Sequence, residues 1–352
     1  FKPHGVQGEE KTIRDLGYEQ VKSFRQKCLR CGYRMRVYPR GVSGAQQSDR
    51  LKAITVLLYV LGLSYGAVSD FVGALGCYVC KTTVYNNVQE AGMKARQRQR
   101  SNVKGGGKRP VIGADGTYVK VKGEQVGIEV VVDDESGELL GLDIIVSENS
   151  EEILEIIQEV VEEVDADVMV SDDHGAYKEA AMTLGLAHQI CRSHVKRNVD
   201  ELAESIRQQQ KRKEPLPEGV DSSPELLRDD LEELCQLVRA RPEDALDQLE
   251  KMYDRYKAAP GPKKGQRHTV WYRTRMLVTR LWDRWPNLTL DQGRDGLDGT
   301  NNSCERVIGW WIKERYRTMR GYKRPESIRN VVTMTARMGA RSGRYDMTEL
   351  YM

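Results

Sequence analysis

The chain has 352 residues, of which 30% are charged and 39% hydrophobic, and its formal net charge is +3. That length suits two or three domains with cores of their own, and no apolar run approaches the roughly 20 residues that a membrane-spanning helix needs. Seven cysteines, four of them in two C-x-x-C pairs, read as reduced thiols or metal ligands and not as a secreted disulfide framework, so a soluble cytoplasmic protein is expected.

Residues 1–45 are polar and glycine-rich and carry CLRCGYRMRVYP, in which Cys28 and Cys31 precede a strand-like basic run. One such knuckle offers two of the four ligands of a structural zinc. Cys77 and Cys80 are formally available, but GLSYGAVSDFVGALGCYVCKTTVYNNV reads as a helix-turn-helix with those cysteines at its turn. Leu61, Val68, Phe71 and Val72 are its expected apolar face, and Gly76 suits the turn. Lys81, Thr82, Thr83 and Asn86 open a second helix with side chains suited to DNA. A small helical bundle that binds nothing is the alternative. The helix-turn-helix is expected over residues 46–95, followed at 96–110 by a basic linker containing Arg98 and Arg100.

From residue 111 the pattern changes to strands. PVIGADGTYVKVKG and QVGIEVVVDDESGELLGLDIIVS give three β-rich runs, SEEILEIIQEVVEEV an amphipathic helix, ADVMVSDD a buried strand and GAYKEAAMTLG another helix. This succession predicts a mixed α/β sheet over residues 111–199. Residues 200–291 read as an all-helical insertion, interrupted at KRKEPLPEGVDSSPE and AAPGPKKG. Residues 292–352 return to the core, with helical character from Asn302 and SIRNVVTMTARM as a last helix.

Charge follows this segmentation. Glu129 to Asp173 holds 17 acids and no Lys or Arg, whereas Lys94 to Arg109 has seven basic residues and no acid, and Arg306 to Arg344 has eleven against two. Basic flanks around an acidic middle suggest a polyanion gripped at the edges of a site that itself holds cations. Asp115 and Asp172 end predicted strands, where side chains of an open α/β sheet project into the ligand crevice. Each acid also has an ordinary explanation: Asp-Gly at 115 and 116 is a turn pair, and Asn302-x-x-Glu305 matches a helix capping box. Glu305, however, heads a strongly basic helix that carries Arg306, Lys313, Arg317 and Arg320.

The stretches DGTYVKVKG at Asp115, SDDHGAYKEA at Asp172, ICRSHVKRNV at Cys191 to Val199 and TNNSCERVIGWWIKERYR around Glu305 resemble the ribonuclease-H-like DDE transposases, specifically the Mutator-like group of bacterial insertion-sequence transposases. The resemblance covers nearly the whole chain in order: zinc half-ribbon, helix-turn-helix, catalytic core. It implies a ribonuclease-H-like fold and a homodimer acting on terminal-repeat and target DNA. Mg²⁺ or Mn²⁺ would be held by Asp115, Asp172 and Glu305, with Asp172 preferred to Asp173 because it directly follows Ser171 at the strand end. Three carboxylates gathered without a cation would raise one another's pKa, so the set makes physical sense as a metal site. Lys81, Thr82, Thr83, Asn86, Arg98, Arg100, Arg306, Lys313, Arg317 and Arg320 are the expected DNA contacts. Cys28 and Cys31 would be zinc ligands whose partner pair lies before Phe1. Cys191 and His194 match the group's C-x-x-H element and are expected in a supporting role, with His188 a third candidate ligand were a metal bound there. Trp271, Trp282 and Trp285 are expected in the helical core more than on a flipped base, Trp310 in packing and Trp311 facing DNA. Two rival functions are a transposase-derived DNA-binding protein without catalysis and a structure-specific nuclease on the same core.

Overall fold

A computed structural model describes every residue except 5–7, 146–149, 320, 341–349 and 351–352, and the side chains of 337–340. The chain divides into two compact units. Phe1–Lys108, Gly116–Glu148 and Ser303–Met352 form the first, and Arg109–Asp115 with Asn149–Asn302 the second.

The first unit opens with four short strands, β1 (Lys2–Pro3), β2 (Glu9–Thr12), β3 (Gln20–Lys27) and β4 (Arg34–Val37), the others all pairing antiparallel with β3. Three helices follow, α1 (Asp49–Val60), α2 (Tyr65–Ala74) and α3 (Lys81–Gly105). The Ser48 and Ser64 hydroxyls cap α1 and α2 by accepting the Leu51 and Ala67 N–H groups. Most of the expected basic linker is therefore the end of α3, where Gln and Arg, both good helix formers, alternate from Arg96 to Arg100.

The sheet strands are β5 (Val111–Val121), β6 (Glu124–Asp133), β7 (Leu139–Ile145), β8 (Val168–Ser171) and β9 (Ala187–Ile190), in the order β7-β6-β5-β8-β9. β5 contributes residues to both units. In the first unit it meets β6 through Lys122 and Gly123, whose positive φ values of 52° and 95° suit a two-residue hairpin turn. β6 pairs antiparallel with β7. In the second unit β5 runs parallel to β8 and β8 parallel to β9. Parallel neighbours need crossovers, and α4 (Ser150–Val164) and α5 (Gly175–Leu184) lie in those connections. α4 buries Ile153, Ile157, Val160 and Val164, one helical face, and leaves Glu151, Glu155, Glu159 and Glu162 exposed.

The helical part of the second unit comprises α6 (Arg192–Gln210), α7 (Pro224–Ala240), α8 (Ala245–Tyr256) and α9 (Val270–Leu288). Its breaks at 211–223 and 257–269 hold the two Pro-containing stretches, and a third, shorter break at 241–244, with Pro242, separates α7 from α8. Trp271 and Trp285 are buried in its core, with Trp282 packed on the same cluster. Trp271 also donates from Nε1 to the Pro215 carbonyl at 2.9 Å. The chain re-enters the first unit with α10 (Asn302–Arg306), a π-helical turn (Val307–Lys313), α11 (Glu314–Arg317) and α12 (Pro325–Ala340).

The helices α1 to α3 have no separate core. Val68, Val72, Val84, Val88 and Ala91 share one buried cluster with Val119, Ile128, Val130, Ile312 and Val332. α3 packs on α12, and a Cβ at Gly92 would lie 2.7 Å from the Asn330 carbonyl oxygen, so that glycine sets the approach of the two helices. Two expectations need correction. Leu61 and Phe71 are 67% and 45% exposed, because Leu61 is the residue that ends α1 and Phe71 stands off the Val68/Val72 stripe. Trp310 is 64% exposed while Trp311 packs against the core, the reverse of what was expected. Both lie within the π-turn, whose wider spacing shifts which residues point inward. No helix among the described residues is long and apolar enough to cross a membrane.

Candidate active site

Asp115 lies in β5 and Asp172 immediately follows β8, both half-buried and both in the second unit. β5 pairs with β8 through Val111↔Val168, Ile112↔Met169 and Gly113↔Val170, and Asp115 and Asp172 each lie two residues beyond the last of these pairs. The pairing of β8 with β9 ends at Ser171↔Ile190, so the next step sets Asp172 opposite Cys191. Asp115, Asp172 and Cys191 thus lie just past the paired stretch of β5, β8 and β9, on the side where open α/β sheets bind ligands; β5 itself runs on to Val121, so Asp115 sits within a strand and does not end one as the sequence suggested.

Local contacts distinguish the two neighbouring aspartates. Asp172 Oδ1 accepts the His174 N–H at 3.0 Å, a turn contact that leaves most of the carboxylate's capacity open to a ligand. The Asp173 carboxylate is 9% exposed and is held by Arg284 Nε at 2.7 Å and by Arg280 at 2.5 and 2.8 Å. The i, i+4 spacing of those arginines on α9 was a legible signal that sequence reasoning did not use.

The third of these residues is engaged as well. Cys191 is fully buried and its sulfur accepts the Asn301 N–H at 3.3 Å. Burial raises its thiol, but hydrogen bonds with the His194 side chain and the Asn301 N–H outweigh that and hold it below its ordinary value. His188 is buried, and its Nε2 shares a 2.8 Å hydrogen bond with Ser171 Oγ. Burial pushes the His188 imidazole down to about 4, against the opposing pull of Asp173. The Ser171 bond fixes one ring nitrogen of this neutral imidazole.

Glu305 belongs to the first unit, half-buried on α10 and followed directly by the π-turn. Ser303 Oγ donates to the Asp134 carbonyl at 2.6 Å and anchors this helix within that unit. Asn302 is already helical, and its predecessor Asn301 turns its side chain to the Ala114 carbonyl at 2.8 Å instead of capping α10. In the sequence the TNN stretch carries no signal of this contact.

Among the expected DNA contacts, Lys81, Thr82, Asn86, Arg100, Arg306, Lys313 and Arg317 are exposed, and Thr83 and Arg98 are half-buried. Thr83 Oγ1 lies 3.2 Å from Cys80 Sγ. Arg320 lies outside the described residues. Cys28 and Cys31 stand at the β3–β4 turn, closed by the Cys28 N–H on the Tyr33 carbonyl at 2.7 Å. The N–H groups of Cys31 and Arg30 lower the Cys28 thiol toward the thiolate that a metal would take. Among the described residues no third metal-ligating side chain gathers with Cys28 and Cys31, nor with Cys77 and Cys80.

A protein-family model described as "Transposase IS66 family" matches residues 44–316. No curated protein matches the chain.

Proposed function

The chain belongs to the IS66 family of transposases, and on that premise we propose that it binds the terminal repeats of its element, cleaves DNA there and joins the 3′ ends to target DNA. The Mutator-like resemblance agrees with the family on an insertion-sequence transposase, and Cys191-x-x-His194 is the feature that favours the finer grouping. The observation that carries the catalytic reading is that Asp115 and Asp172 each lie two residues beyond the paired Gly113 and Val170 on neighbouring parallel strands. The strand order, three antiparallel strands followed by two parallel ones, supports a ribonuclease-H-like core.

In this reading Asp115, Asp172 and Glu305 hold divalent metal. The donor set fits, since half-buried carboxylates are the hard oxygen ligands that Mg²⁺ or Mn²⁺ takes. Bound there, two such ions would supply an activated water or 3′ hydroxyl and neutralise the leaving oxygen. Asp173 stays with its two arginines and leaves Asp172 to the site. Arg306, Lys313 and Arg317 bind the phosphodiester backbone, each neutralising a phosphate without reading sequence. α2 and α3 act as the helix-turn-helix, with Lys81, Thr82 and Asn86 at the exposed start of the reading helix. Cys28 and Cys31 contribute half of a zinc site. A homodimer holds the two element ends together.

The test offers purified protein a pre-cleaved terminal repeat bearing a 3′ hydroxyl, a supercoiled plasmid target and Mg²⁺ or Mn²⁺. Joined product is the expected result. Cleavage of an intact end without joining would favour a nuclease, and binding without either reaction a non-catalytic DNA-binding protein.

A further inference from the structure

The geometry points to Asn301 as a positioning residue that clasps β5 and the end of β9 on both sides of Asp172. The inference rests on the carboxylate reading above. Asn301 is fully buried and belongs to the second unit. Its side-chain Nδ2 donates to the carbonyl of Ala114, the residue before Asp115, at 2.8 Å. Its backbone N–H donates to Cys191 Sγ at 3.3 Å. Ala114 lies in β5 and Cys191 follows β9, with β8 between those strands. One residue therefore ties the two outer strands together at the edge where the middle strand delivers Asp172.

The neighbouring backbone supports the clasp. The Cys191 N–H donates to the Ser171 carbonyl at 2.7 Å and the Arg192 N–H to the Gly299 carbonyl at 2.9 Å. Gly299 has φ 73°, and a Cβ there would come within 2.7 Å of Asp291 Oδ2. The 299–301 segment is thus held against the β9–α6 junction by its backbone, while the Asn301 amide alone reaches β5. Asn301 Oδ1 is buried with no hydrogen-bond partner among the described residues, an arrangement that disfavours the folded state. Among the described residues the donor to Ala114 is the side-chain contact that gives an asparagine a role here.

Ligand carboxylates depend on the groups that orient them, and loss of such an outer partner typically weakens metal binding 10- to 100-fold. Asn301→Asp keeps the shape but replaces the donor with an oxygen facing the Ala114 carbonyl, and Asn301→Ala removes the group. Full-length wild type, both variants and Asp115→Asn are titrated with Mn²⁺ alone by electron paramagnetic resonance. Each is then assayed for the Mn²⁺ concentration that gives half-maximal joining. The expected result is roughly 10-fold or greater weakening of Mn²⁺ binding in Asn301→Asp, with terminal-repeat affinity unchanged and partial recovery of joining at high Mn²⁺. A merely structural role would lower the melting temperature and leave the Mn²⁺ requirement at the wild-type value, which overturns the proposal. Failure of both Asn301 variants to fold overturns it as well. An Asp115→Asn protein that binds Mn²⁺ like wild type would instead refute the carboxylate reading on which the proposal stands.

Discussion

Replacing each aspartate of the Asp172–Asp173 pair with asparagine should separate catalysis from stability. Asp173 is 9% exposed and faces two guanidiniums, that of Arg284 21% exposed and that of Arg280 57% exposed. A hydrogen-bonded charge pair as sheltered as the Arg284 contact contributes about 1.5–3 kcal/mol, while the exposed Arg280 contact adds under about 1 kcal/mol after solvent screening. Asparagine keeps one acceptor, so Asp173→Asn should cost about 2 kcal/mol net. At about 2–4 °C per kcal/mol for a unit of this size, the melting temperature should fall by roughly 4–8 °C. Asp172 has one backbone N–H on Oδ1, which an asparagine oxygen can still accept, so Asp172→Asn should melt within about 2 °C of wild type. Its joining activity should nevertheless drop by orders of magnitude, since an amide is a poor ligand for a hard cation. The assay pairs differential scanning calorimetry with joining of a pre-cleaved end at a temperature where both variants are folded. A dead Asp173→Asn protein of wild-type stability, beside an active Asp172→Asn protein, would refute the reasoning.

Below pH 6.5 the second unit should lose stability through His188. Its folded value of about 4 lies under the ordinary 6.5, so the unfolded chain binds more protons in that window. The contribution is present above pH 6.5 and is lost as pH falls toward 4, by (6.5 − 4) × 1.36, or about 3 kcal/mol. Urea melts of His188→Gln should show a flatter pH dependence there, and an unchanged slope would contradict a neutral buried ring. Gly92→Ala should destabilise the first unit by about 1–3 kcal/mol through overpacking against Asn330, read as a lower denaturant midpoint; a neutral result would mean that α3 and α12 are not in close contact. Asn86→Ala should reduce discrimination of terminal repeat from random duplex by about 1–3 kcal/mol, whereas Arg100→Ala should weaken both alike and lower the salt slope by about one. Unchanged selectivity in the Asn86 variant would take base reading away from the start of α3. Point variants are the right tool, because deleting residues 1–109 would strip α1 to α3 from the core they share with β5, β6 and α12.

The end of β8 was legible because its chemistry is local, an apolar run followed by Asp in VMVSDD, whereas VIGAD looked like a strand end although β5 runs through Asp115 to Val121. Two of the breaks in residues 200–291 were legible for the same reason, since proline and glycine fall in the segments after α6 and α8, whereas the short break after α7 was missed and Pro286 lies inside α9. What was missed depends on contacts distant in sequence or on a change of helical register. The buried cluster joining Val84 to Val332 pairs segments about 250 residues apart, so the segment expected as a helix-turn-helix looked like a domain of its own. The roles of Trp310 and Trp311 exchanged because periodicity assumes an α-helix through Val307–Lys313, where the chain makes a π-turn. Asn301 carried no periodic or motif-like signal of its task, which exists only once Ala114 and Cys191 have been brought to it.

Glu305→Gln tests the central claim most directly, in the joining assay with a pre-cleaved end and Mg²⁺. Glutamine preserves helix propensity and size on α10, and Glu305 is only half-buried, so melting temperature and terminal-repeat affinity should match wild type. With the third carboxylate gone, both cleavage of intact ends and joining of pre-cleaved ends should fall by orders of magnitude. A folded Glu305→Gln protein that joins ends at near wild-type rate would contradict the three-carboxylate site.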